Sequence, residues 1–215
     1  MLFYPHLTLD RNRSFVFLVI LTILMPSITL ASSTDQSRWD KHYNREGFLF
    51  GKQPIQFLEK NIHLFPKGKA LDLAMGEGRN GVYLATHGFD VLGLDISPLG
   101  LKKAHKLARQ NNVQIKTQIA DLESYQLEKN AYDLILCTYY MQRTLFDQAK
   151  KSLKSGGMIL IETYNLDYLR YAKFPKKYLL EHNELLEIFK DFKIIRYQAY
   201  DDGKEAYSSI IAQKP

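Results

Sequence analysis

The chain has 215 residues, 29 Lys plus Arg against 23 Asp plus Glu, and 46% hydrophobic residues. That length suggests one domain, or one domain with a short appendage, and the apolar and charged fractions exclude a disordered chain. A single Cys excludes an internal disulfide and a thiolate zinc site, while a net charge of +6 is compatible with nucleic acid, membrane surfaces or anionic ligands and requires none of them.

In chain order the first feature is an uncharged apolar run at 15–31 (FVFLVILTILMPSITLA), behind Arg11 and Arg13 and followed by Ser32 and Ser33. It reads as a secretory signal peptide cleaved near Ala31. A membrane anchor is the second reading, weakened by Pro26 and by a length short of the about 20 residues of a span. Met25 as the true start is the third. Under each of them 1–31 stands outside the folded domain.

From about Trp39, strand-like and helix-like segments alternate. Ala70–Ala74 is a short apolar strand, and 78–87 is a helix stopped by Gly88. Asp90–Asp95 is a second strand. Ser97-Pro98 then supplies an N-cap and an N1 proline for a helix running to about Gln110. Val113–Ala120 alternates like a strand, and Tyr132–Cys137 is a continuous apolar run, as in a parallel strand buried on both faces. A helix over 142–154, a Ser155-Gly156-Gly157 turn and a strand at Met158–Thr163 follow. The last elements are a helix over Glu181–Asp191 and two strands, Lys193–Ala199 and Ala206–Ala212, flanking an Asp201-Asp202-Gly203 turn. The expected fold is an α/β, Rossmann-like three-layer sandwich. Its seven-stranded, mostly parallel sheet takes one antiparallel strand from a C-terminal hairpin.

Gly76-Glu77-Gly78-Arg79-Asn80-Gly81 lies between a predicted strand and a predicted helix. Glycines there let a ligand approach the backbone at a helix N-terminus. A bare strand–helix turn is the alternative. Asp72 and Glu77 would repel a pyrophosphate, whereas S-adenosyl-L-methionine (SAM) brings a sulfonium, an ammonium and one carboxylate. Asp95, ending the second strand, is placed to accept from ribose hydroxyls.

These segments resemble the class I SAM-dependent methyltransferases. ALDLAMGEGRNGVYLA is similar to their first motif, LGLDIS to the acidic strand, IADLESY to the adenine-binding segment, and YDLILC with LKSGGMILIET to the fourth and fifth strands. Within that superfamily, RWDKHYNREGFLFGKQPIQFL, GEGRN and MQRTLF resemble the tellurite-resistance methyltransferase group. The resemblance implies SAM as cofactor, with Asp72, Gly76, Glu77 and Gly78 at its methionine part. It places Asp95 and Ile96 at the ribose, Asp121 and Leu122 at the adenine, and Cys137 and Thr138 at the methionyl end. It also implies that 32–66 is a helical segment covering the cofactor, with Trp39, Tyr43 and Phe50 as a lid, and that 67–215 is the SAM-binding domain. Plain packing of those aromatics on the sheet explains them equally well. Two positions depart from the family: Ala74 replaces its first motif glycine and Met75 its frequent cysteine. The alanine is tolerable if its φ is negative.

Methyl transfer from a sulfonium is an in-line displacement governed by alignment and exclusion of water, so no catalytic residue is assigned. Tyr139, Tyr140, Arg143, Glu162 and Tyr164 are candidates for the pocket of a small acceptor, a chalcogen oxyanion or a thiol. Arg143 could grip an oxyanion, or simply sit on the surface where a helix begins. The six His are dispersed without ligand spacing, so no metal is expected. Tyr168–Tyr178 interleaves Arg170, Lys173, Lys176 and Lys177 with aromatics, which keeps an RNA acceptor open, although a solvated loop explains it as well. An RNA or protein methyltransferase and a non-catalytic SAM-binding module are the alternatives. SAM is made in the cytosol, so the cofactor argues for a cytoplasmic address and the apolar run for export or anchoring.

Overall fold

The computed structural model describes residues 33–215, and the apolar run at 15–31 lies outside the described residues. The strands are β1 (Lys69–Leu73), β2 (Asp90–Asp95), β3 (Lys116–Ile119), β4 (Tyr132–Thr138), β5 (Leu153–Tyr164), β6 (Lys193–Asp201) and β7 (Ala206–Gln213). They form one sheet in the order β3-β2-β1-β4-β5-β7-β6, in which β7 runs opposite to the other strands. The helices are α1 (Ser33–Tyr43), α2 (Gln56–Asn61), α3 (Arg79–Thr86), α4 (Pro98–Gln110), α5 (Arg143–Ser152) and α6 (Glu184–Ile188). This is the expected three-layer α/β sandwich.

Strand periodicity sorts the core into two layers, because successive side chains leave opposite faces of the sheet. Ala70, Leu134, Leu136, Leu160 and Ile211 face Phe57, Leu58, Leu84, Leu101 and Ala104 of α2, α3 and α4. Leu71, Leu73, Ile135, Ile159, Ile161 and Ile210 face Leu145, Phe146 and Ala149 of α5 and Leu185 and Phe189 near α6. The central strands are apolar on both sides, which is why each reads as an unbroken hydrophobic run.

Three elements differ from the sequence expectation by more than two residues, each for a local reason. β3 begins at Lys116 rather than Val113, because Asn112 at φ +55° and the Val113 amide donating to the Ala108 carbonyl spend those residues on leaving α4. Ser155-Gly156-Gly157 lies within β5 and not before it. Leu153 already pairs with Tyr132, and the register shift is taken up at Gly156, at φ +76°. The last helix spans Glu184–Ile188 instead of Glu181–Asp191. The Leu180 amide bonds to the Tyr164 carbonyl, and Asn183 turns the chain at φ +63°, so the helix starts late. Among the described residues no helix is long and apolar enough to cross a membrane.

Candidate functional site

The carboxyl ends of β1, β2, β4 and β5 open on one edge of the sheet, where α/β folds bind ligands. The β1–α3 turn is built from left-handed residues: Gly76 at φ +56°, Gly78 at φ +85° and Ala74 at φ +54°. The condition under which alanine would be free of cost, a negative φ, is therefore not met at Ala74. Its Cβ is carried in a region that glycine occupies without cost and L-residues pay roughly 1–2 kcal/mol to enter. Met75 also has a physical account. Its thioether fills the space left by two glycines, since a Cβ on Gly93 would lie 1.9 Å from its sulfur and one on Gly81 2.5 Å from its methyl.

Asp72 shares the α3 face with Ala70 and is buried at the turn. Its Oδ2 is a buried side-chain oxygen without a hydrogen-bond partner, alone in this respect among the described residues. Burial pushes its carboxyl up to about 7, with the Gly81 amide opposing the shift and the charge of Asp95 adding to it. Asp95 accepts from the Gly76 amide on Oδ2 (2.8 Å) and from the Ser97 amide on Oδ1 (2.8 Å). Burial carries it up to about 6 against the opposing pull of those two amides. Two desolvated carboxyls beside a glycine turn, one with an unsatisfied oxygen, fit a ligand that offers an ammonium and hydroxyl donors. They do not fit a pyrophosphate. The residues present thus suit SAM.

The N-terminal segment is tied over this turn. Asp40 of α1 accepts from the Ser97 hydroxyl and from the Leu99 amide, capping α4 from outside. Tyr43, stacked on Trp39, is buried above Gly76, where an added Cβ would meet its hydroxyl at 2.6 Å. Glu77 is turned toward the same segment: it accepts from the Leu49 and Phe50 amides (2.6 and 3.4 Å) and pairs with Lys103 at 2.8 Å. Its carboxylate is a tether for the covering chain. Phe50 itself is 51% exposed, and its carbonyl accepts from Arg79.

The remaining candidates divide by face. Thr138 lies on the α3 face and accepts from Asn80, whose carbonyl in turn holds the Ile55 amide. Cys137 points the other way, sealed against α5, where burial pushes its thiol up to about 12. Only its backbone reaches the cofactor edge. Ile96 is half-buried beside Asp95, Asp121 accepts from the Glu123 amide, and Leu122 is core. Tyr139 and Tyr140 diverge: the Tyr139 hydroxyl donates to Glu162, the Tyr140 hydroxyl to Gln142. Arg143 spends its fork on Glu184 and on the Lys177 and Leu179 carbonyls, so it braces the chain entering α6. Of the basic–aromatic stretch, Tyr168 and Phe174 pack against Tyr164, and Arg170 and Tyr171 engage Asp201. Lys173, Lys176 and Lys177 remain exposed.

Sequence reasoning missed Asp40, Arg79, Asn80 and Ser209. The GEGRN spelling contained two of them, but glycine spacing drew attention away from the Arg and the Asn.

Comparison with known proteins agrees with this geometry. Residues 70–157 match a methyltransferase domain family. The probable S-adenosyl-L-methionine-dependent methyltransferase TehB of Haemophilus influenzae is 26% identical over 137 residues, 60% of this chain and 47% of that protein. A ubiquinone biosynthesis O-methyltransferase of Coxiella burnetii is 28% identical over 123 residues, 54% of this chain and 52% of that one. The chain spans about half the length of these curated relatives. The crystal structure of TehB from Haemophilus influenzae superposes with a TM-score of 0.65 at 22% identity, covering 84% of this chain and 67% of that one. A glycine turn backed by buried carboxyls, the sheet order and the matched residues converge: the chain carries a methyltransferase domain over residues 70–157, with SAM as its cofactor, and it resembles the class I SAM-dependent methyltransferases, TehB among them.

Proposed function

We propose that the chain transfers a methyl group to a small nucleophilic acceptor, a thiol or a chalcogen oxyanion. SAM supplies the methyl on a sulfonium and leaves as a neutral thioether. The observation that carries this reading is the buried Asp72 carboxyl at the glycine turn, whose Oδ2 has no hydrogen-bond partner in the protein. The chain's own part is to hold the cofactor through Asp72 and Asp95, to exclude water under Trp39 and Tyr43, and to present the acceptor beside Tyr139 and Glu162. A small acceptor is favoured over RNA because Tyr168 and Phe174, two of the aromatics in the basic stretch, are engaged in packing against Tyr164.

The test is calorimetry with SAM and S-adenosylhomocysteine, followed by labelled transfer to a panel of thiols, tellurite, selenite and small amines. Binding that is lost in Asp72→Asn or Asp95→Ala, together with label in a small product, supports the proposal. Absence of binding to the wild-type chain would sink it. Binding with no label transferred to any acceptor, in the panel or in extract, would make the chain a non-catalytic SAM-binding module.

A further inference from the structure

Tyr139 closes β4 at φ +55°, a left-handed conformation that a bulky aromatic residue adopts only when its surroundings impose it. One residue imposes it here. The Tyr139 amide donates to the Glu162 carbonyl at 2.7 Å, and its hydroxyl donates to Glu162 Oε1 at 3.0 Å. Glu162 Oε2 accepts from the Ser209 hydroxyl at 2.7 Å. Glu162 is buried at the end of β5, on the same face as Leu160 and therefore toward α3 and the glycine turn. Both its hydrogen-bond donors are neutral hydroxyls. A buried carboxylate without a bonded cation is costly and concentrates at working sites.

The surroundings fix what this group can meet. Arg79, at the start of α3, lies 5.6 Å from the Tyr139 ring and favours the Glu162 charge, but its guanidinium is held by the Phe50 carbonyl. Glu205, from the β6–β7 turn, opposes that charge. Tyr164 of β5 tilts against Tyr139 at 5.1 Å, and Tyr207 of β7 meets it edge-on at 6.5 Å. Burial pushes the phenols of Tyr139 and Tyr207 up, and that of Tyr164 to about 12, so all three stay protonated. The opening is walled by aromatic rings and backed by one carboxylate. It attracts neutral donors and repels anions.

We propose that Tyr139 and Glu162 form the acceptor site, and that it takes a neutral, proton-bearing thiol or hydroxyl carried on an aromatic or apolar body. This narrows the methyl-transfer reading, on which its catalytic half rests, and excludes a chalcogen oxyanion. As the acceptor's sulfur or oxygen bonds to the methyl carbon, its proton passes to the Tyr139 phenolic oxygen. The Tyr139 proton moves along the existing hydrogen bond to Glu162 Oε1, so Glu162 ends protonated and Tyr139 unchanged. The C–S electron pair returns to the cofactor sulfur. Tyr139 touches the acceptor; Glu162 acts through it as the final proton holder.

The experiment has a binding arm and a rate arm. Benzyl mercaptan and selenite are titrated by calorimetry into the protein with and without S-adenosylhomocysteine. The mercaptan should bind, selenite should not, and Tyr139→Phe should weaken the mercaptan about 3–10-fold, the worth of one neutral hydrogen bond. In single-turnover transfer to the mercaptan, Tyr139→Phe and Glu162→Gln should each lower the rate about 100-fold or more. The wild-type rate should fall as pH drops through the Glu162 pKa, which burial holds above the ordinary carboxylate value. Ser209→Ala removes a bond that lowers that pKa, so it should move the acid limb to higher pH, and Glu162→Gln should abolish the limb. A merely structural Glu162 would do neither. Selenite binding as well as the mercaptan, a mercaptan that does not bind, or a Glu162→Gln rate and pH profile equal to wild type would overturn the proposal. Failure of SAM to bind refutes the methyl-transfer reading instead, and the mercaptan titration without cofactor still decides this one.

Discussion

Met75 and Gly93 are predicted to be energetically coupled, and the coupling is large enough to measure. Gly93 sits in β2 directly under the Met75 thioether. A Cβ there would fall 1.9 Å from the sulfur, 2.5 Å from the terminal methyl and 3.1 Å from Cγ. The Met75 side chain is only 6% exposed, so it has little room to swing away. Gly93→Ala should therefore cost about 3 kcal/mol, the upper end of what overpacking a core costs. For a chain of this size that is a fall in Tm of roughly 6–12 °C. Met75→Cys removes the two clashing atoms and leaves its own sulfur near the former Cγ, a tight 3.1 Å contact that a shift of a few tenths of an ångström relieves. Alone, that truncation should cost about 1–2 kcal/mol through the cavity it opens. Placed together, the two changes should lose little more than Met75→Cys alone, a coupling of about 2 kcal/mol in favour of the double variant. Urea unfolding of the four proteins at constant m gives each value. Additive losses would refute the reasoning, because they would mean that Met75 does not occupy the space Gly93 vacates.

Ala74→Gly should stabilise the chain by about 0.5–1 kcal/mol, since glycine adopts φ +54° without a Cβ penalty, and a lower urea midpoint would contradict the strain. Asp72 and Asp95 carry folded-state values of about 7 and about 6 against 3.8 for the free side chain. Their contribution to the stability of the cofactor-free protein is thus fully present below 3.8 and lost as pH rises through about 7. Asp72→Asn should flatten that decline in midpoint-against-pH curves. SAM binding should also release a proton on the acid side of about 7, seen by calorimetry in buffers of different ionisation heat, and the release should fade as the pH is raised above about 7. Arg143→Ala should speed amide exchange across 177–189 at least tenfold while global stability changes by only about 1 kcal/mol, because the ion pair is half-exposed and its work is local.

The fold was legible wherever its cause is local. β1, β2 and β4 are apolar runs bounded by glycine, aspartate or serine, and Ser97 caps α4 by accepting the Gly100 amide at 3.0 Å, as its sequence neighbours foretell. Asp72, Gly76, Gly78 and Asp95 could be placed for the same reason, since each sits at a strand end or a turn within one βαβ unit. Expectation failed where a distant partner intervenes. Glu77 looked like a ligand group because its chemistry is that of one, but its partners are amides 27 and 28 residues away. Arg143 looked available because Glu184, 41 residues on, is invisible to any local pattern.

The proposed acceptor site is the extreme case, because it exists only through sheet register. Thr138 pairs with Glu162 between β4 and β5, and Glu162 pairs with Ser209 between β5 and β7. Those pairings bring together residues 23 and 47 positions apart and point them to the α3 face. A slip of one residue in β5 would turn Glu162 into the apolar layer over α5 and put Ile161 beside Tyr139. Nothing within Glu162-Thr163-Tyr164 itself distinguishes the two settings. The choice is made by the Leu160 and Ile161 side chains, each of which fills a different layer of the core. The chemistry at the strand end is therefore positioned by hydrophobic packing farther down the same strand. Substitutions that disturb the Leu160 layer should misplace Glu162 before they unfold the sheet.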